Sequence, residues 1–202
     1  MNLNSTFINH TIYSGLTNNL ILHIVYNMNY KLLVYTLVVF GVTTRLIPHS
    51  PNVVPMTALT LFGCVYLPKR LFFLPLVILL ISDFFIGFYG SDMFYVYGSF
   101  FLTGLIGLWL RSHKKPLKVL GSSLFSSILF FVITNFGVWA PPNNWYPHNL
   151  SGLLQSYTMA LPFFRNSLIG DVGYTTVLFG GYELLQKLSK KYLPQKLFQL
   201  LY

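Results

Sequence analysis

The sequence predicts an all-α, polytopic membrane protein with about six transmembrane helices and both termini on the cytoplasmic side. Composition, apolar patterning and charge placement carry that reading. The 202 residues are 54% hydrophobic and 8% charged, with a mean hydropathy of +0.59. Soluble domains carry about 25% charged residues, and a chain this size has too much surface to hide so apolar a content from water. Of thirteen Lys and Arg residues, eleven fall in alternate connections between apolar stretches, or beside them. An excess of Lys and Arg marks cytoplasmic flanks, so the basic connections define the inner side.

The apolar stretches run 30–47, 53–67, 71–90, 93–110, 118–140 and 166–186. Lys31 precedes the first, and Arg45 ends it on the opposite side. The second is weak, opened by Pro48, Pro51 and Pro55 and closed by Pro68, so it is expected to be short or tilted. Lys69 and Arg70 separate the second from the third. Arg111, Lys114, Lys115 and Lys118 separate the fourth from the fifth, and Lys187, Lys190, Lys191 and Lys196 follow the sixth. A straight span needs about 20 residues. The piece Leu150–Phe164 is shorter and reads as re-entrant or interfacial, which gives a long outer excursion from about 139 to 165 between helices 5 and 6. The chain divides into an extension over 1–29, a six-helix membrane domain over 30–186 and a basic cytoplasmic tail over 187–202. Residues 1–27 read either as a mis-assigned start, with Met28 opening the protein, or as a loose interfacial extension.

The net charge of +9 lies in short flanks and the tail, where it fixes topology and meets anionic lipid. There is no basic patch elsewhere, so no nucleic-acid partner is expected. The single cysteine, Cys64, excludes an internal disulfide. No phosphate-binding Gly-x-x-x-x-Gly-Lys-Ser/Thr loop, Gly-x-Ser-x-Gly or His-Glu-x-x-His is present. No enzymatic role and no cofactor are expected.

The predicted topology gathers polar residues on the outer side. Arg45 and Arg165 sit at span ends, and Asp83 and Asp171 lie within the outer halves of the third and sixth spans. A charge at the bilayer centre costs at least about 2.5–3.5 kcal/mol, so such residues face a partner, a cavity or a substrate. Two ion bridges, Arg45–Asp83 and Arg165–Asp171, would pin helices. The alternative is a polar ligand pocket made of Arg45, His49, Asn52, Asp83, Asn135, Trp139, Arg165, Asn166 and Asp171. There the arginines would meet an anionic or carbonyl group, the aspartates ring nitrogens or the arginines, Asn135, Asn52 and His49 the ligand's edges, and Trp139 its face. A metal site on His49 and His148 with either aspartate lacks ligand spacing, so no metal is expected. Ser99, Thr103 and Gly107, like Gly173, Thr176, Gly180 and Gly181, form small-residue stripes suited to close helix packing.

Arg45-Leu-Ile-Pro-His49 with Pro51, Asn52 and Pro55, then Ser82-Asp83, Thr134-Asn-Phe-Gly-Val-Trp139, Tyr146-Pro147 and Pro162-Phe-Phe-Arg-Asn166 with Gly170-Asp171, resemble a bacterial family of uncharacterised proteins assigned to transport. In span count, size and topology that family is similar, more loosely, to the substrate-binding S components of energy-coupling factor transporters. The resemblance covers about residues 30–186. It implies a subunit of the bacterial inner (cytoplasmic) membrane that captures a vitamin-like micronutrient from outside. A transmembrane coupling subunit and ATPase subunits on separate chains would power uptake. The span from Lys31 to Arg45 lacks the Ala-x-x-x-Ala pair that S components often carry on their first helix. Two other expectations stand beside it: a structural scaffold of a cell-envelope complex, and an ion-coupled transporter acting alone.

Overall fold

The computed structural model describes residues 30–141 and 145–192, and it is all-helical there. The helices are α1 (Tyr30–Leu46), α2 (Met56–Tyr66), α3 (Leu74–Ile86), α4 (Asp92–Leu110), α5 (Pro116–Trp139), α6 (Leu150–Thr175) and α7 (Gly181–Tyr192). A short 3-10 turn, Lys69–Leu71, links α2 to α3, and a π-helical segment, Thr176–Gly180, joins α6 to α7. Counting α6, the π segment and α7 as one rod, the described residues form six rods. The expected extension over 1–29 and the end of the tail beyond residue 192 lie outside them.

Prolines set several boundaries. Pro75 and Pro116 occupy the first turns of α3 and α5, where a missing N–H costs nothing. Pro55 immediately precedes α2, and Pro68 follows its last residue by two positions. These prolines hold α2 to eleven residues, about 16 Å at 1.5 Å per residue, far short of a bilayer. The weak second stretch is therefore a short central helix, packed against each of α1, α3, α4, α5 and α6. Ten of its residues are buried.

The outer excursion over 139–165 is corrected by the structure. Only residues 140–149 connect α5 to α6, because Asn149 caps a helix that starts at Leu150. Its side chain accepts a hydrogen bond from the Gly152 N–H at 2.8 Å, satisfying one of the free N–H groups at a helix start. The stretch 150–164, too short to span by itself, runs directly into 166–175. The whole rod over 150–192 is about 65 Å long, roughly twice the ~30 Å hydrocarbon thickness of a bilayer.

Polarity is distributed inside out. Ser82, Ser99, Thr103, Ser123, Ser126, Ser127 and Thr175 are buried, while Phe94 is 81% and Leu117 82% exposed, together with Phe84, Phe85 and Val177. A fold in water would pay heavily for that surface; one in lipid would not. By length and composition, α4 and α5 are each able to cross a membrane.

Helices approach closely where side chains are smallest. A Cβ on Gly107 of α4 would lie 2.7 Å from the Cys64 Cβ and 3.4 Å from the Leu61 backbone of α2. The Ser99, Thr103 and Gly107 stripe is thus buried against the bundle. Gly173, Gly180 and Gly181 have open space around them, so these glycines make no such close approach among the described residues.

The basic connections gather at one end. Arg111 donates to the Leu67 carbonyl at 2.5 Å, and the Lys114 ammonium lies 5.3 Å from the centre of the Tyr66 ring. The Tyr66 hydroxyl bonds Glu183 of α7. Arg45 and the Pro-rich connection 47–55 lie at the other end of the bundle.

Candidate functional site

Opposite the basic end, the 47–55 connection covers two cavities. One, of about 580 Å³, is lined by Arg45, His49, Asn52 and Tyr89 with Ile47, Val54, Met56, Ile86, Phe100 and Phe130. The second, of about 310 Å³, is lined by Asn52, Thr134, Asn135 and Ser167 with Phe130, Phe131, Phe163 and Phe164. The two share Asn52 and Phe130. Apolar and aromatic walls with a few polar groups are typical of small-ligand sites.

The floor of the first cavity is held by an ion pair. Arg45 Nη2 meets Asp83 Oδ1 at 2.7 Å, and Nη1 donates to Ser82 Oγ at 2.5 Å and to the Leu79 carbonyl at 3.3 Å. The Tyr97 hydroxyl donates to Asp83 Oδ2 at 2.8 Å and the Tyr89 hydroxyl at 3.3 Å. The Asp83 side chain is 0% exposed and that of Arg45 14%. Asp83 is therefore satisfied by the protein itself and supports Arg45 from below.

The structure disperses other residues of the predicted pocket. Arg165 is exposed and makes no bridge to Asp171, since the Arg45–Asp83 pair is the one salt bridge among the described residues. Arg165 and Asp171 are six positions apart on one helix, which sets them on different faces nearly two turns apart. Asn166 donates to the Pro51 carbonyl at 3.1 Å, which ties α6 to the covering connection. Trp139 Nε1 donates to the Pro147 carbonyl at 3.0 Å, and its ring lies 5.7 Å from that of His148. That tryptophan fixes the 140–149 connection and lines neither cavity. Asn135 lines the second cavity with its Nδ2 donating back to the Phe131 carbonyl.

The histidines do not converge. His49 Nδ1 pairs with the Ile47 carbonyl and His148 Nε2 with that of Pro141. Among the described residues no group of three His, Cys, Asp or Glu side chains could hold a metal ion.

Four features escaped the sequence reading: the backbone of Asn52, two tyrosine hydroxyls, a serine face and a helix-internal proline. Asn52 has φ of +63°, a conformation that Asn tolerates better than most residues, and it projects into both cavities. Tyr89 and Tyr97 supply hydroxyls to Asp83. Ser122, Ser123, Ser126 and Ser127 make one buried face of α5; their spacing of one and four within an apolar span is a legible signal of such a face. Pro162, inside α6, removes the helical bond to the Thr158 carbonyl beside the second cavity.

The chain belongs to a family of unknown function, DUF6580, whose model matches residues 26–195. No curated protein and no solved structure matches it.

Proposed function

We propose that this member of an uncharacterised family is a six-span protein of the bacterial inner membrane, with both termini inside, that binds a small nutrient from the outer face. The basic end faces the cytoplasm, and the cavities beneath the 47–55 connection open outward. One observation carries the reading: two adjoining cavities, joined through Asn52 and Phe130, lie at the end opposite the basic clusters. Arg45 is neutralised by Asp83, so the first cavity offers hydrogen bonds and aromatic walls with little net charge. That suits a neutral or zwitterionic aromatic or heterocyclic solute of vitamin size. The sequence has no nucleotide-binding loop, so separate subunits, a membrane coupling protein and ATPases, would power uptake. The inside-out polarity of the bundle supports the membrane setting.

Native mass spectrometry of the protein, purified in mild detergent from its own host, tests this directly. A retained small molecule of defined mass is expected. Asn52→Gly, which keeps the positive φ at no steric cost and removes the amide, should lose it while the protein keeps its thermal midpoint. A stoichiometric cell-wall enzyme in place of a small molecule would overturn the reading in favour of a scaffold.

A further inference from the structure

The chain buries two aspartates and treats them differently. Asp83 faces Arg45 and two tyrosine hydroxyls. Asp171 of α6, 5% exposed, meets only hydroxyls. Ser127 Oγ of α5 donates to its Oδ2 at 2.6 Å, and the buried Thr57 of α2 lies beside the same carboxylate. One turn along α6, Thr175 donates to Ser123 Oγ at 3.0 Å.

No charge reaches this carboxylate from the elements packed around it. Helix α2 carries none, and α5 carries only Lys118, more than two turns from Ser127. On α6 the other charge is Arg165, which is exposed and makes no bridge to it. Arg45 of α1 is taken by Asp83. An isolated buried carboxylate is too costly to persist uncompensated, and intramembrane acids of this kind mark ion pathways.

We propose that Asp171, with the hydroxyls of Ser127 and Thr57, binds a single sodium-type alkali cation. Carboxylate and hydroxyl oxygens are hard ligands that favour hard cations, and one carboxylate balances one positive charge. The Ser127 hydroxyl that now donates to Asp171 keeps lone pairs and can rotate to present them. Ser126, beside Ser127, is fully buried and its hydroxyl has no partner, so this stretch of α5 holds more oxygen than the protein's own hydrogen bonds use. The helix turns to π geometry directly after Thr175, a change that often accompanies functional sites. Ser167, one turn before Asp171, lines the second cavity.

The test needs no solute, so it stands or falls separately from the proposed nutrient binding. Purified full-length protein is titrated with NaCl against choline chloride at constant ionic strength. Thermal unfolding and radioactive sodium binding are both read. A saturable stabilisation by sodium alone is expected, because a ligand that binds only the folded state raises its stability. Asp171→Asn should abolish sodium binding. Ser127→Ala should weaken it about tenfold, the worth of one bond to a charged group, and Arg165→Gln should leave it unchanged. If Asp171→Asn fails to fold, Ser127→Ala and Thr57→Val carry the test. Equal responses to sodium and choline, unchanged binding in the folded variants, or a response to pH alone would each overturn the proposal.

Discussion

Replacing Arg45 with methionine would leave Asp83 buried without its cation. The side chain of Asp83 is 0% exposed, and the guanidinium makes three bonds to it, to Ser82 and to Leu79. Removing one partner of a buried pair costs about 3–5 kcal/mol. Tyr97 and Tyr89 would still donate to the carboxylate, so the lower end, about 3 kcal/mol, is expected. For a chain of this size that is a fall of about 6–12 °C in Tm. The double variant Arg45→Met with Asp83→Leu removes both charges and should recover most of the loss, because an apolar pair often replaces a buried ion pair at no net cost. Thermal melts of the detergent-purified single and double variants complete the cycle, and their non-additivity is the coupling between the residues. A single variant with unchanged Tm, or a double variant as unstable as the sum of its parts, would refute the reasoning that this pair pins α1 to α3.

Three further outcomes follow from the packing and the topology. Gly107→Ala should cost about 1–3 kcal/mol through overpacking, since the added Cβ would lie 2.7 Å from the Cys64 Cβ; the melt of that variant checks it. Gly173→Ala, with nothing within 4 Å of the new Cβ, should leave Tm unchanged or raise stability by about 0.5–1 kcal/mol through helix propensity. In a Cys64→Ala background, a cysteine at Asn149 should react with an impermeant maleimide added to intact cells and one at Lys115 should not. The reverse pattern would invert the proposed orientation.

Much of the architecture was legible in the chain. The positions of Lys69, Arg70, Arg111, Lys114 and Lys118 paired the helix ends correctly, because basic flanks must share one side whatever the packing. The bounds of α1, α4 and α5 follow the apolar runs within about two residues. Asp83 and Arg45 were readable as partners, since two opposite charges at the same end of apolar helices have little choice but each other. The Arg165–Asp171 pairing failed for a local reason: once α6 is continuous, helical geometry turns the two residues to different faces. The same continuity shortened the expected excursion, and no hydropathy window reports it. An Asn cap decided it, in a stretch that hydropathy alone could not join to the next.

The sequence alone determined that the chain is helical and strongly apolar. Its apolar content and its alternating basic flanks are sums over residues, and sums survive any arrangement of the helices. Only the tertiary structure decided which polar groups share a cavity. That depends on the rotation of each helix about its axis, which short apolar stretches barely constrain. The eleven-residue α2 at the centre, the glycine contacts that admit it and the proline-bounded connection above it fix those rotations. They bring Arg45, His49, Asn52 and Asn135 to two adjoining cavities and turn Asp171 toward the hydroxyls of Ser127 and Thr57.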